Sequence, residues 1–120
     1  MKHYLVTLSP EWSRIVYVVE MENRELELGD FYNAIDGFIE IVPIPSMPGL
    51  KLVIDDCGKL KGLPLNFFAS ELAEFFPLDV IVGPALIVKE KGPELWPIDE
   101  FDFAKIQDVL ATWGINYERD

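Results

Sequence analysis

The stretch Asp79-Val80-Ile81-Val82-Gly83-Pro84-Ala85-Leu86-Ile87-Val88 decides the fold. It is the most strongly apolar segment of the chain and reads as the central strand of a sheet. Gly83-Pro84 marks a bulge or kink within it, because proline brings no N–H to a ladder and glycine admits backbone conformations that other residues avoid. The apolar part, Val80 to Val88, is far shorter than the ~18 residues a membrane helix needs, so no membrane-spanning segment is expected.

Upstream of that strand, Leu65 to Phe76 lies between Pro64 and Pro77, and its alanines, leucines and glutamates favour helix. Apolar groups at 67, 68, 72, 75 and 76 follow helical spacing, which places this helix on the sheet with Glu71 and Glu74 outward. Before it, Phe38 to Val42 and Leu50 to Ile54 read as strands. Pro43, Pro45, Pro48 and Gly49 separate them, and the prolines place the first at a sheet edge. Asp55 to Lys59 reads as a turn, after which Leu60 to Leu63 continues the meander. Further out, Asp30 caps a helical turn through Phe31 and Ile35 that closes at Asp36-Gly37, and Leu26-Glu27-Leu28 forms a short edge. Tyr4 to Leu8 and Arg14 to Glu20 are strands joined across Ser9-Pro10-Glu11.

Downstream, Asp99 caps a helix with Asp102 three residues on, an acidic variant of the capping box. Phe103, Ile106, Val109, Leu110 and Trp113 make one apolar stripe, ended by Gly114. Several strands followed by helices, with too few crossovers for repeated βαβ units, predict an α+β protein. Its sheet is mostly antiparallel and carries one or two packed helices, including the C-terminal amphipathic one. Residues 1–120 are expected to form a single domain.

Composition bounds the chemistry. The chain has 120 residues, half of them apolar, so it can build its own core. One cysteine, Cys57, excludes an internal disulfide, and with His3 alone beside it no structural zinc site can be assembled. No metal and no cofactor are expected. Ten Lys and Arg against 21 Asp and Glu give a net charge of −11, which argues against direct nucleic-acid binding, since such surfaces need clustered cations. The excess is even: residues 1–60 carry ten acids and five bases, residues 61–120 eleven and five. The N-terminus lacks the pattern of a secretory signal, so a cytoplasmic protein is expected.

Few residues suggest chemistry. Asp55 and Asp56 are adjacent and would point to opposite faces of an extended strand, so they do not pair as acid and base. Lys59 and Lys61 form a small cationic feature beside them. Gly58-x-x-x-Gly62 lacks the Gly-Lys-Ser/Thr ending of a phosphate loop. Neither His3 nor Cys57 stands in a recognisable nucleophile–base set, and no catalytic residue is expected. Trp113 reads as core, whereas Trp12 and Trp96 sit in loops beside Pro10 and Pro97 and are candidate interface residues.

Three blocks in order, Gly37-Phe38-Ile39-Glu40-Ile41-Val42-Pro43, then Asp56-Cys57-Gly58-Lys59-Leu60-Lys61-Gly62-Leu63-Pro64-Leu65-Asn66, then Asp79-Val80-Ile81-Val82-Gly83, resemble domain of unknown function 3846. The resemblance covers roughly residues 26–90, and the N-terminal strands and the tail after Glu90 look less family-like. The family tends to carry a second proline where Leu65 stands and a polar residue where Cys57 stands. It comprises small proteins and modules of phages, prophages, plasmids and their bacterial hosts, with no established activity. The resemblance therefore implies a gene context, that of accessory proteins which bind a host factor or defence molecule.

Two functions follow as expectations. The first is a non-enzymatic binding protein, a counter-defence factor that engages a host protein through exposed aromatics and an acidic surface; DNA mimicry is one form this could take. The second is a small-ligand protein, sequestering or enzymatic, acting on a nucleotide-type anion through the Asp55 to Asn66 turn with Glu40 nearby. Its ligand set would be Asp56, Gly58, Lys59, Lys61, Gly62 and Asn66, since glycine-rich amides and two ammonium groups suit an anion. Edge strands beside prolines, in so apolar a chain, allow a homodimer.

Overall fold

A computed structural model of the protein describes residues 1–115. Seven strands form one sheet in which every pair is antiparallel: β1 (His3–Leu8), β2 (Val16–Met21), β3 (Ile39–Pro43), β4 (Leu50–Asp55), β5 (Ala85–Lys91), β6 (Glu94–Trp96) and β7 (Ile98–Asp99). The main order is β2-β1-β5-β4-β3. β6 pairs with β5 and β7 with β1, so the chain fills the gap where those two central strands part. Two helices, α1 (Phe67–Leu72) and α2 (Glu100–Thr112), complete the α+β architecture.

The central strand lies within the apolar run, but it begins at Ala85. Gly83 takes a φ of +77° and Pro84 offers no donor, so the ladder cannot pass through them. Val82 makes a lone bridge to Leu65 instead. From Ala85 the strand is buried on both sides. Ala85 and Ile87 join a core with Val6, Leu52, Leu72, Phe103 and Ile106, while Leu86 and Val88 join a second core with Leu26, Phe31, Ile35 and Val53. Burial of both faces explains why the sequence shows a continuous apolar run there.

The helices cover the first face. Asn66 caps α1, and the helix stops after Leu72, four residues short of the expected Phe76. Glu74 enters the left-handed region at φ 57°, the Phe75 amide turns back to the Ser70 carbonyl, and the Glu74 amide bonds the Glu71 carbonyl. That geometry closes a helix even without glycine. Phe68 and Leu72 face the core, but Phe67 stays 42% exposed. In α2 the expected box is present: Asp99 Oδ1 accepts from the Asp102 amide at 2.9 Å, and Asp102 Oδ2 accepts from the Asp99 amide at 3.3 Å. Lys89 of β5 binds Asp102 Oδ2 at 3.2 Å and Asp99 Oδ2 at 3.5 Å, fastening the helix start to the sheet.

Residues 22–38 cover the second face. Leu26-Glu27-Leu28 is not a strand: the Leu26 amide bonds the Leu95 carbonyl, and Leu28–Asp30 is a single 3-10 turn. Asp30 acts here from the far end of the turn, accepting from the Glu27 amide at 2.7 Å. Its two oxygens also accept from Arg24 Nη1 and Nη2 at 3.0 and 2.6 Å. The Arg24 hydrogen bonds foremost, helped by the Glu27 amide, hold the Asp30 carboxyl below its ordinary pKa. A folded-state pKa below the unfolded one adds stability above the unfolded value, and that stability is lost as pH falls through the folded value. The stability gap between the parent and Arg24→Gln, measured by urea unfolding, is therefore expected to be open at about pH 7 and to narrow below about pH 4.

Leu60 to Leu63 does not extend the meander either. It belongs to a chain of turns over residues 56–62, and Leu60 is exposed. β6 and β7 are strands where none was expected, each two or three residues long and set off by Pro93 and Pro97. Among the described residues no helix is long and apolar enough to cross a membrane.

Candidate functional site

The turn after β4 is tied up by its own chain. Asp55 Oδ1 accepts from the Cys57 amide at 2.9 Å, and the amides of Gly58, Lys61, Gly62 and Leu63 bond the carbonyls of Asp55, Cys57, Lys59 and Gly58. Five donors that an anion would need are thus already committed. Asp55 ends β4 and is buried, Asp56 opens the turn and is exposed, and both line the cleft beside this turn.

The six candidate ligand residues are dispersed by this turn. Asp56 and Lys59 line a cleft of about 300 Å³ whose walls include Glu40, Ile54, Phe75, Asp79 and Ile81. Lys59 Nζ sits 2.5 Å from Asp79 Oδ1, and this bond, followed by one from the Val80 amide, lowers the Asp79 pKa. Lys61 turns elsewhere: it donates to Asp55 Oδ2 at 2.6 Å and to the Asp36 carbonyl, and the Asp55 bond raises its pKa. Gly62 supplies a φ of +69° at the turn's far end. Asn66 is fully buried, donating to the Leu8 and Gly83 carbonyls at 2.9 Å each and accepting from the Ala69 amide at 3.1 Å.

Gly58 is a packing residue. A Cβ there would stand 2.9 Å from Val82 Cγ2 and 3.3 Å from the Asp55 and Val82 carbonyl oxygens. Two of these obstacles are backbone. Gly58→Ala is expected to lower stability by about 1–3 kcal/mol, read from the urea midpoint at unchanged slope.

Four acidic residues line the cleft, Glu40, Asp55, Asp56 and Asp79, with one ammonium, Lys59, that Asp79 already neutralises, while Lys61 pairs with Asp55. Its field favours a cation over a phosphate. Among the described residues no group of three or more His, Cys, Asp or Glu is placed to hold a metal ion.

The two candidate interface tryptophans are at opposite ends of β5. Trp96 pairs across from Lys89 and is half-buried; the Lys91 ammonium sits 4.3 Å over its ring and its Nε1 donates to Glu94 Oε1 at 3.1 Å. Trp12, in the β1–β2 connection, is 73% exposed. Its ring lies 6.4 Å from Phe67 and 5.6 Å from Phe68; Phe67 meets Phe76 at 5.4 Å, and Phe68 meets Trp113 at 5.6 Å. Five rings from four segments thus form one continuous patch. Sequence spacing assigned Phe67 and Phe76 to the core. Phe68 takes the inward position at the start of α1, so Phe67 beside it stays partly in solvent, and the early end of the helix leaves Phe76 beyond it and half-buried.

The protein is therefore an α+β protein whose antiparallel sheet carries helices on one face, with an aromatic patch over the shorter helix. The chain belongs to the DUF3846 family, a domain of unknown function, whose sequence profile matches residues 1–111. The match takes in the N-terminal strands and most of α2, well beyond the 26–90 core of the resemblance. No curated protein and no solved structure matches the chain.

Proposed function

We propose that the protein is a non-enzymatic binding protein of a phage or other mobile element, acting in the bacterial cytoplasm as a counter-defence factor on a host protein. The aromatic patch of Trp12 and Phe67, both exposed, with the half-buried Phe76 against Phe67, carries this reading, because large rings left in water are characteristic anchors of protein interfaces. Glu11 precedes Trp12 in sequence, Glu71 lies one helical turn after Phe67 in α1, and Glu74 follows that helix, so the segments that supply the rings are acidic. A host partner would present a basic surface with an apolar centre, and the net charge of −11 would speed its approach. The mobile-element context rests on the family resemblance.

The competing reading, a nucleotide-type ligand on the Asp55 to Asn66 turn, would require the Lys59–Asp79 and Lys61–Asp55 pairs to open. Affinity capture from host lysate separates the two, read for co-purified protein and for heat-released small molecules. A protein retained by Lys59→Ala/Lys61→Ala and lost with Trp12→Ala/Phe67→Ala supports the proposal. A small molecule lost with the lysines, with no protein captured, overturns it.

A further inference from the structure

The outer edge of β3 is built differently from the other sheet edge. The register sets Ile39 opposite Asp55 and Ile41 opposite Val53, and the Asp56 amide bonds the Phe38 carbonyl at 3.0 Å. Hydrogen-bonded pairs alternate along an antiparallel ladder, so Phe38, Glu40 and Val42 bond inward to β4. Ile39, Ile41 and Pro43 then turn their main chain outward. That edge offers two N–H donors and three carbonyl acceptors, and proline at the third position fits an edge because its missing donor costs no ladder bond. Among the described residues no strand pairs with this edge.

The two faces beside the edge differ in chemistry. On the Glu40 face lies the acidic cleft with Asp56 and Asp79. On the Ile39 face lies a mainly apolar groove of about 560 Å³ lined by Leu28, Tyr32, Phe38 and Ile39 together with Asp36 and Gly37, with Ile41 exposed beyond it. The β2 edge has no such pair of flanks; it carries the Lys2–Glu20 ion pair and the Arg14 guanidinium over Tyr17.

We propose that the β3 edge receives an extended segment of alternating basic and apolar residues from a partner protein, which adds a strand to the sheet. Successive side chains of such a segment point to opposite faces, so every second residue meets carboxylates and the ones between meet the groove. A second copy of this chain is the wrong occupant, because it would bring another Glu40 and a charge of −11 to an acidic edge. The surface is distinct from the aromatic patch and stands independently of it.

The test titrates a capped seven-residue peptide of alternating lysine and valine onto the isotope-labelled protein, beside its glutamate–valine counterpart. Expected are binding of the lysine peptide alone and exchange of the Ile39 and Ile41 amides slowed at least about tenfold. Glu40→Lys, at an exposed position that leaves the fold intact, is expected to weaken that peptide about threefold to fivefold. Trp12→Ala is expected to leave its affinity unchanged. No binding at about 1 mM, equal binding of both peptides, or shifts confined to Trp12 and Phe67 would each overturn the proposal. Protection of Ile39 and Ile41 that rises with protein concentration alone would also overturn it, by assigning the edge to a second copy.

Discussion

Asn66→Ala is expected to lose about 3–5 kcal/mol of folding stability, a large share of the ~5–15 kcal/mol that holds a typical domain. The side-chain amide is fully buried and its NH₂ group bonds the Leu8 carbonyl at the end of β1 and the Gly83 carbonyl before β5. Its oxygen meanwhile caps α1 through the Ala69 amide. Alanine removes these bonds from two carbonyls and one amide in a place water does not reach. Asn66→Asp keeps the shape and the cap but strips both donors and sets a negative charge against two carbonyl oxygens, so it is expected to be at least as damaging. Urea unfolding measures both. A loss under about 1 kcal/mol would show that these bonds contribute little, and would return Asn66 to the list of ligand candidates.

The double variant Trp12→Ala/Phe67→Ala is expected to lose partner affinity by about 30-fold to 1,000-fold, the range of two interface anchors removed together. Its stability is expected to change far less, by about 1 kcal/mol, since Trp12 is mostly in water already and Phe67 is partly so. Affinity for the captured host protein and a urea melt of the same sample supply the two numbers. Unchanged affinity in a folded double variant would move the interface away from α1.

What could be read from the chain followed the reach of each signal. The α2 capping box was legible because it is local: Asp99 and Asp102 are three residues apart and serve each other. The central strand was legible as a place, through its apolar run, but not as a span, because Gly83 and Pro84 end the ladder where hydrophobicity continues. β6 and β7 left no usable trace. Strands of two or three residues exist only because the diverging β1 and β5 present free main chain to them. The site fared similarly. Residue types placed lysines and glycines correctly on one turn, yet the carboxylate that neutralises Lys59, Asp79, is 20 residues away, and Lys61, neutralised by Asp55 nearby, is also held by the Asp36 carbonyl 25 residues away. Asn66 looked like a ligand residue because a polar side chain beside a glycine turn reads as surface until the tertiary structure buries it.

The pairing of β1 with β7 and the bond from the Lys2 amide to Glu100, 98 positions on, set an order of events. On a ribosome, β1 and β2 can meet early, and β3 and β4 can meet next. The two hairpins have no common neighbour until Ala85 to Lys91 is synthesised, and the gap between them closes only with Ile98 and Asp99. The middle of the sheet is therefore the last part to be finished. Until then both apolar faces are open to whatever chaperone or stray chain arrives first, a cost of weaving the earliest strand to the latest.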